Sequence, residues 1–300
     1  MLRRRIADLR LLSLPLSLSL ALSLQLAGCQ KPPATDTTTP TDASAQADAN
    51  APAEPAEAPL PAADEVLARS IDAVGGADAI AKIESSYTEA KTEIKAQGIS
   101  LVTRIWSKGK DFYVESDMPG VGLSQVWKKG DEIWSKDPIN GMRKLEGKEA
   151  AQTRWSSDPM LAANWREYFE QAKTLGRSKD GERSLVEVEL SGADGAKLVL
   201  MFDEATGLPA GQSFEQQTPM GSLPIRITVD DYREIKGVKF PFRSVTDMQL
   251  MSAVQVTEKL EVNVEIDDAK FEVPTKAPAE AAPASDKKGK ADKKSKAKSG

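Results

Sequence analysis

Chemistry in this chain is bounded first by what it lacks. No histidine occurs among its 300 residues, and Cys29 is the single cysteine. A Ser-His-Asp or Cys-His nucleophile therefore cannot be assembled, and neither can a zinc, haem or iron–sulfur centre held by His or Cys. Carboxylates are what remain. The pairs Asp230-Asp231 and Asp267-Asp268 could offer oxygen to calcium, but neither sits in a run of spaced oxygen ligands, so both read as turn residues. The residue types predict a non-enzymatic protein with no catalytic centre, metal or cofactor. With one thiol the monomer also has no internal disulfide, so its stability must come from burial and sheet hydrogen bonding.

The one reactive group has a telling context. Residues 1–28 begin with Arg3-Arg4-Arg5, continue through a Leu/Ser run from Leu11 to Leu26, and end in small residues. That run is too short and too broken by serine to span a bilayer comfortably, and it reads as an export signal. Leu26-Ala27-Gly28-Cys29 resembles the lipobox of bacterial lipoproteins. The resemblance implies diacylation of the Cys29 thiol, cleavage before it and acylation of the freed amine. At least two chains are required physically, because one gives only marginal anchoring. Gln30 stands where an Asp would favour retention in the inner membrane. The expectation is attachment to the outer membrane of a Gram-negative bacterium, facing the periplasm.

What this anchor carries is divided by composition. Residues 29–62 are the anchoring cysteine followed almost entirely by Ala, Pro, Thr, Asp, Glu, Gln and Ser. Such a tether buries too little apolar surface to order itself. Residues 275–300 form a Lys-rich tail of the same kind, and 63–274 remain as one folded domain. Formal charge is +3 in the first 28 residues and +5 from Thr275 onward, which leaves about −13 of the overall −5 for the part between. An acidic body argues against a nucleic-acid partner.

The domain opens with a helical pattern over 64–74, in which Val66, Leu67, Ile71 and Val74 share a face, Asp64 is placed to cap it, and Gly75-Gly76 stops it. A shorter helix is expected from Ala77 to Ile83. The period then changes to two. Ile99, Leu101 and Ile105 alternate with polar residues, and Phe112, Val114, Leu123 and Trp127 follow between turn signals. A helical insertion is expected between about Lys148 and Ala172, split at Asp158-Pro159. It carries Trp155, Trp165, Tyr168 and Phe169, read as its inward face or as a lid. Alternation resumes at Val186, Val188 and Leu190. A final strand is read with Val254, Val256, Leu260, Val262, Val264 and Ile266 on one side, broken only by Glu258. The pattern predicts a mainly β (α+β) domain: a strongly curved antiparallel sheet, or incomplete β-barrel, of about ten strands with helices covering the concave face.

Two blocks of sequence resemble the LolA/LolB-like outer-membrane lipoprotein-sorting superfamily. One is Ile71-Asp72-Ala73-Val74-Gly75-Gly76-Ala77 with Ile80 and Ile83. The other runs from Asp231 to Pro241 and continues through Val262-Asn263-Val264 and Ile266 to Phe271. The resemblance spans roughly 64–274 and implies a cavity that takes the acyl chains of a lipid or lipoprotein. No acyl-contacting residue can be carried over, since the likeness lies in turns and termini. The strand faces supply the candidates. In the first half they are Ile99, Leu101, Ile105, Phe112 and Trp127; in the second, Leu198, Leu200, Phe202, Phe214, Phe240 and Phe242. Such a cavity should need few polar groups. Two apolar turns, carrying Met118 and Val121 and then Met220 and Leu223, are candidates for touching a membrane or a partner. The expected partners are acyl chains, the membrane through Cys29, and a periplasmic carrier or another envelope protein. The alternative reading is a structural or regulatory envelope lipoprotein that uses the same fold to bind a protein.

Overall fold

The computed structural model describes residues 58–274, apart from 159, 219–220 and 249–250. Leu26, Ala27, Gly28 and Cys29, most of the tether, the Lys-rich tail and Met220 lie outside the described residues.

Two antiparallel meanders build a single sheet. The first contains β1 (Ser85–Ile94), β2 (Ile99–Lys108), β3 (Asp111–Met118), β4 (Gly122–Lys129), β5 (Glu132–Asp137) and β6 (Gly141–Lys144). The second contains β7 (Gln171–Asp180), β8 (Arg183–Ser191), β9 (Lys197–Asp203), β10 (Pro209–Thr218), β11 (Gly221–Ile235), β12 (Val238–Met248) and β13 (Met251–Val262). Pairing of β1 with β13 joins them into a sheet of 13 strands whose edges are β6 and β7. Those edges do not pair, so the sheet is curved and open.

More strands form than alternation predicted, and the additional ones share a property. On β1 the inward positions carry only Ser86, Thr88, Ala90 and Thr92 before Ile94 closes the series, and on the edge strand β7 even Leu175 is 43% exposed. Without large inward side chains a strand emits no period-two signal.

Helices α1 (Ala63–Ala73), α2 (Ala77–Ile80), α3 (Gly147–Ser156) and α4 (Leu161–Asn164) cover the concave side. The cap of α1 differs from expectation. Ala62 holds the cap position and Glu65 Oε2 accepts its N–H at 3.3 Å, while Asp64 is drawn 2.8 Å from Arg166 instead. The helix ends at Gly75, whose φ is +132° and where a Cβ would lie 2.2 Å from the Gly237 carbonyl oxygen. Only glycine lets this chain end lie against the β11–β12 turn. Lys239 N–H then donates to Val74 O at 2.8 Å and locks the contact.

The last strand corrects the sequence reading. β13 pairs Lys259 with Glu89 but Thr257 with Ala90, so Glu258 is an extra residue in a bulge. Val254 and Val256 therefore face outward, and Val256 is 41% exposed. Beyond the bulge, Leu260 and Val262 face inward against Phe240 and Phe242. Glu258 does not interrupt one apolar face; it exchanges one face for the other.

The convex side is not uniformly wet either. Tyr87, Trp106, Tyr113 and Trp127 stack across β1 to β4 with centroids 5.2, 5.4 and 5.2 Å apart. The segment after β13 lies over them through Ile266 and Phe271, and Lys270 Nζ sits 3.8 Å from the Trp106 centroid. A second outer cluster joins Leu185, Met201 and Ala210.

Candidate functional site

The concave face is the surface that the whole fold converges on. Leu198, Leu200 and Phe202 of β9 and Phe214 of β10 pack with Trp155, Trp165 and Phe169 of the helical insertion in one apolar body. Phe240 and Phe242 form a second with Ile80, Ile83 and Met160. Ile105 and Phe112 form a third with Val114. Leu101 is buried on the same face and Ile99 is half-buried at its end. Ten of the eleven candidate residues thus share the inner side of the sheet.

Trp127 does not. Its partner across the ladder is Tyr113, whereas Phe112 pairs with Lys128. Since directly paired residues share a face, Trp127 belongs to the outer aromatic stack. The spacing along one strand could not reveal this, because the register across the β3–β4 turn decides which half of the alternation points inward.

Helix α3 crosses the concavity. On one side Ala150 packs with Leu145 and Ile133, and Arg143 pairs with Glu149 at 2.5 Å. On the other, buried Gln152 is bonded to β10. Its Nε2 donates to Glu215 O at 2.8 Å, and its Oε1 accepts from the Gln217 N–H at 2.7 Å and the Gln216 side-chain amide at 2.8 Å. Trp155, one turn on, meets Phe214 edge-to-face at 5.4 Å. One helix therefore ties the first meander to the second across the mouth of the sheet. The aromatic residues of the insertion pack on the strands beneath rather than standing free.

Asp158 organises the break in the insertion. Its Oδ1 accepts the Met160 N–H at 2.8 Å, and its Oδ2 accepts from the Tyr168 hydroxyl at 2.8 Å and the Asn164 amide at 3.1 Å. Burial, together with this neighbouring carboxylate, holds the Tyr168 hydroxyl well above the usual phenol range. Next to it a cleft of about 420 Å³ opens between α3 and the β8–β9 turn, with Trp155 and Phe169 in its wall and Arg154 and Arg166 beside them. None of the eleven candidates lines it.

The inner face is more polar than expected. Thr103 and Ser116 are buried there, with their hydroxyls 3.0 Å apart, and Thr92 Oγ1 donates to Gln255 Oε1 at 3.3 Å. Lys128, only 7% exposed, donates to Lys110 O at 2.5 Å, and burial pushes its ammonium below the ordinary lysine range. These groups escape a search for large apolar alternation because serine and threonine read as the outward half of a strand.

The turn candidates separate. Val121 is 48% exposed, and its neighbour Leu123 41%. Met118 is 5% exposed because it is the last inward residue of β3, so it corrects the expectation of an exposed contact. Leu223 is half-buried against the large apolar cluster. Ile139, at the β5–β6 turn, is 61% exposed and was not among the candidates. That turn lies beside the β3–β4 turn, since a Cβ on Gly122 would come 3.0 Å from the Pro138 ring.

The terminal blocks that resemble the LolA/LolB-like proteins thus fold into an open, helix-covered sheet, as the resemblance implies. No family model matches the sequence, and no curated protein matches it. Solved structures do. A DUF1329 family protein from Desulfovibrio piger is 15% identical, over 70% of this chain and 97% of that one, with a TM-score of 0.49. The LolA superfamily protein NE2245 from Nitrosomonas europaea is 16% identical, over 71% of this chain and 99% of that one, with a TM-score of 0.48. These are the folds to which the chain is similar.

Proposed function

We propose that this chain is a lipid-anchored, non-enzymatic envelope protein that holds the acyl chains of a lipid or lipoprotein against the concave face of its sheet, beneath α3. The observation that carries this reading is the inner face itself, where apolar walls from both meanders are bridged by a single helix. An acyl chain seated there gains about 0.8 kcal/mol per methylene removed from water. Attachment through Cys29 to the outer membrane, facing the periplasm, would hold that face near lipid, and a carrier in the periplasm would be a natural donor.

The test is native mass spectrometry of a secreted Cys29→Ser variant. Co-purifying acyl-chain mass, or uptake of an added acylated peptide, is expected. A bare protein that takes up neither overturns the reading. The anchor is tested separately on membrane-extracted protein, which should begin at Cys29 and carry a diacylglyceryl increment; an unmodified cysteine refutes it.

A second reading has its own support. Val121, Leu123 and Ile139 are all strongly exposed on two adjoining turns, and apolar groups clustered in this way suit a protein partner. Val121→Glu with Ile139→Glu should leave lipid uptake intact. If the pair instead abolishes co-purification of an envelope protein from a protein that binds no lipid, the second reading replaces the first.

A further inference from the structure

The chain leaves the folded domain twice, and both exits lie on one rim of the sheet. Alternate turns of an antiparallel meander fall at the same end. The β2–β3, β4–β5, β7–β8, β9–β10 and β11–β12 turns therefore share a rim with the start of β1 and the end of β13. Upstream of α1, Thr174 Oγ1 donates to Pro61 O and Arg177 Nη1 to Ala58 O, each at 2.7 Å. From Pro61 back to Ala58 the backbone thus runs along the edge strand toward the β7–β8 turn. Downstream of β13, residues 263–273 form a strap along the strand ends of the same rim. Asn263 N–H donates to Ser85 O at 2.7 Å, Lys108 pairs with Asp268 at 2.6 Å, and Lys129 pairs with Glu272. The strap delivers Pro274 beside the β4–β5 turn.

The two rims differ in chemistry. Turns on the exit rim present exposed Lys110, Asp131, Glu182 and Lys236. The opposite rim presents the exposed apolar residues Val121 and Ile139. Residues 275–300, outside the described residues, hold no aromatic side chain and nothing apolar larger than proline, and between Lys287 and Lys298 they bring seven lysines against Asp292 alone. Asp268 and Glu272, the strap carboxylates nearest to them in sequence, are already held by Lys108 and Lys129 and are not free to answer those lysines.

We propose that the Lys-rich tail binds the phosphate headgroups of anionic phospholipid in the bilayer that holds Cys29, so that the domain stands with its charged rim toward that bilayer and its apolar turns away from it. This rests on the reading of Cys29 as the anchor and adds a second, electrostatic contact. A segment with many cations and no large apolar side chain is drawn to a charged surface, but it lacks what forms the core of a protein interface. Full extension limits residues 275–300 to about 90 Å and residues 30–57 to a similar span. Starting from one rim, both segments reach the same surface. From the opposite rim the tail would first have to cross the domain along a strand of ten residues, about 33 Å.

The experiment is flotation of residues 29–300 carrying Cys29→Ser with two kinds of vesicle, one of phosphatidylcholine alone and one containing about a third phosphatidylglycerol. Binding to the anionic vesicles should be at least about tenfold tighter. It should be lost between about 50 and 500 mM salt, as the screening length shrinks. Changing the seven lysines between Lys287 and Lys298 to glutamine should remove the preference, and changing them to arginine should keep it. Neither set touches the folded domain. Equal binding to both vesicles, or a preference that survives the glutamine changes, overturns the inference and leaves the anchor reading in place. Retention on isolated cell-wall sacculi without a preference between the vesicles also overturns it, and puts a wall polymer in place of lipid. An unmodified Cys29 in membrane-extracted protein refutes the anchor alone.

Orientation is read on the same chain, because Cys29→Ser leaves it without a thiol. A dye placed at Glu182→Cys, on the exit rim, should be quenched by headgroup-labelled anionic vesicles more strongly than one at Asn140→Cys, on the opposite rim. Both positions are exposed. Equal quenching, or the reverse order, overturns the placement of the charged rim against the bilayer.

Discussion

Gln152 is the residue on which the cover depends most. All its polar atoms are engaged with β10, and it is buried. Gln152→Ala leaves the Glu215 carbonyl and Gln217 N–H without that partner, at a cost of about 1–3 kcal/mol. The loss should appear as a lower denaturation midpoint, with faster amide exchange concentrated in α3. Unchanged exchange there would show that apolar packing alone holds the helix. Tyr113 gives a prediction about pH. Burial raises its hydroxyl from 10.0 to about 12. The folded state thus retains a proton that the unfolded chain releases, so this contribution to stability is complete below pH 10 and is lost as pH rises toward about 12. Denaturation midpoints measured across that window should fall with pH, and less steeply in Tyr113→Phe. An identical slope in the variant would place the alkaline transition elsewhere. Neither role could be read from residue type: a glutamine in a polar helix and a tyrosine in a strand acquire them only from what the fold packs around them.

At the scale of elements, two devices set which side of the chain meets which. Gly75 ends α1 where the backbone nearly touches Gly237. Gly75→Ala forces a Cβ into that carbonyl at an unfavourable φ, and should destabilise the domain by roughly 3 kcal/mol or more, read by chemical denaturation. A smaller loss would show that the β11–β12 turn yields. Deleting Glu258 tests the bulge. Its removal lets Lys259, opposite Glu89, follow directly on Thr257, opposite Ala90, so Leu260 and Val262 keep their inward side and the variant should fold with a denaturation midpoint close to that of the unaltered chain. Unfolding, or strong binding of a hydrophobic dye, would show that the sheet needs the bend of the bulge and not only its register. The helix and its Gly-Gly stop were legible because caps and breakers act within a few residues. The bulge was visible only as a charged residue in an apolar series, and its meaning depended on the pairing with β1.

At the largest scale, the described residues form an open sheet whose concave side is covered by two chain segments, α1–α2 and α3–α4. Its two meanders meet through β1 and β13, from opposite ends of the domain, and α3 joins them again across the mouth. The sequence by itself determined that no histidine-dependent centre can be built, and it displayed the largely β character of the domain. These follow from composition and short-range periodicity, which survive any tertiary arrangement. The tertiary structure decided the rest: that Trp127 faces out while Phe112 faces in, that Met118 is buried, that Glu258 reverses a strand, and that Thr103 and Ser116 put buried hydroxyls on the inner face. Alternation reports that a strand has two unlike sides, but the choice of the inward one belongs to hydrogen-bonded register between strands distant in sequence.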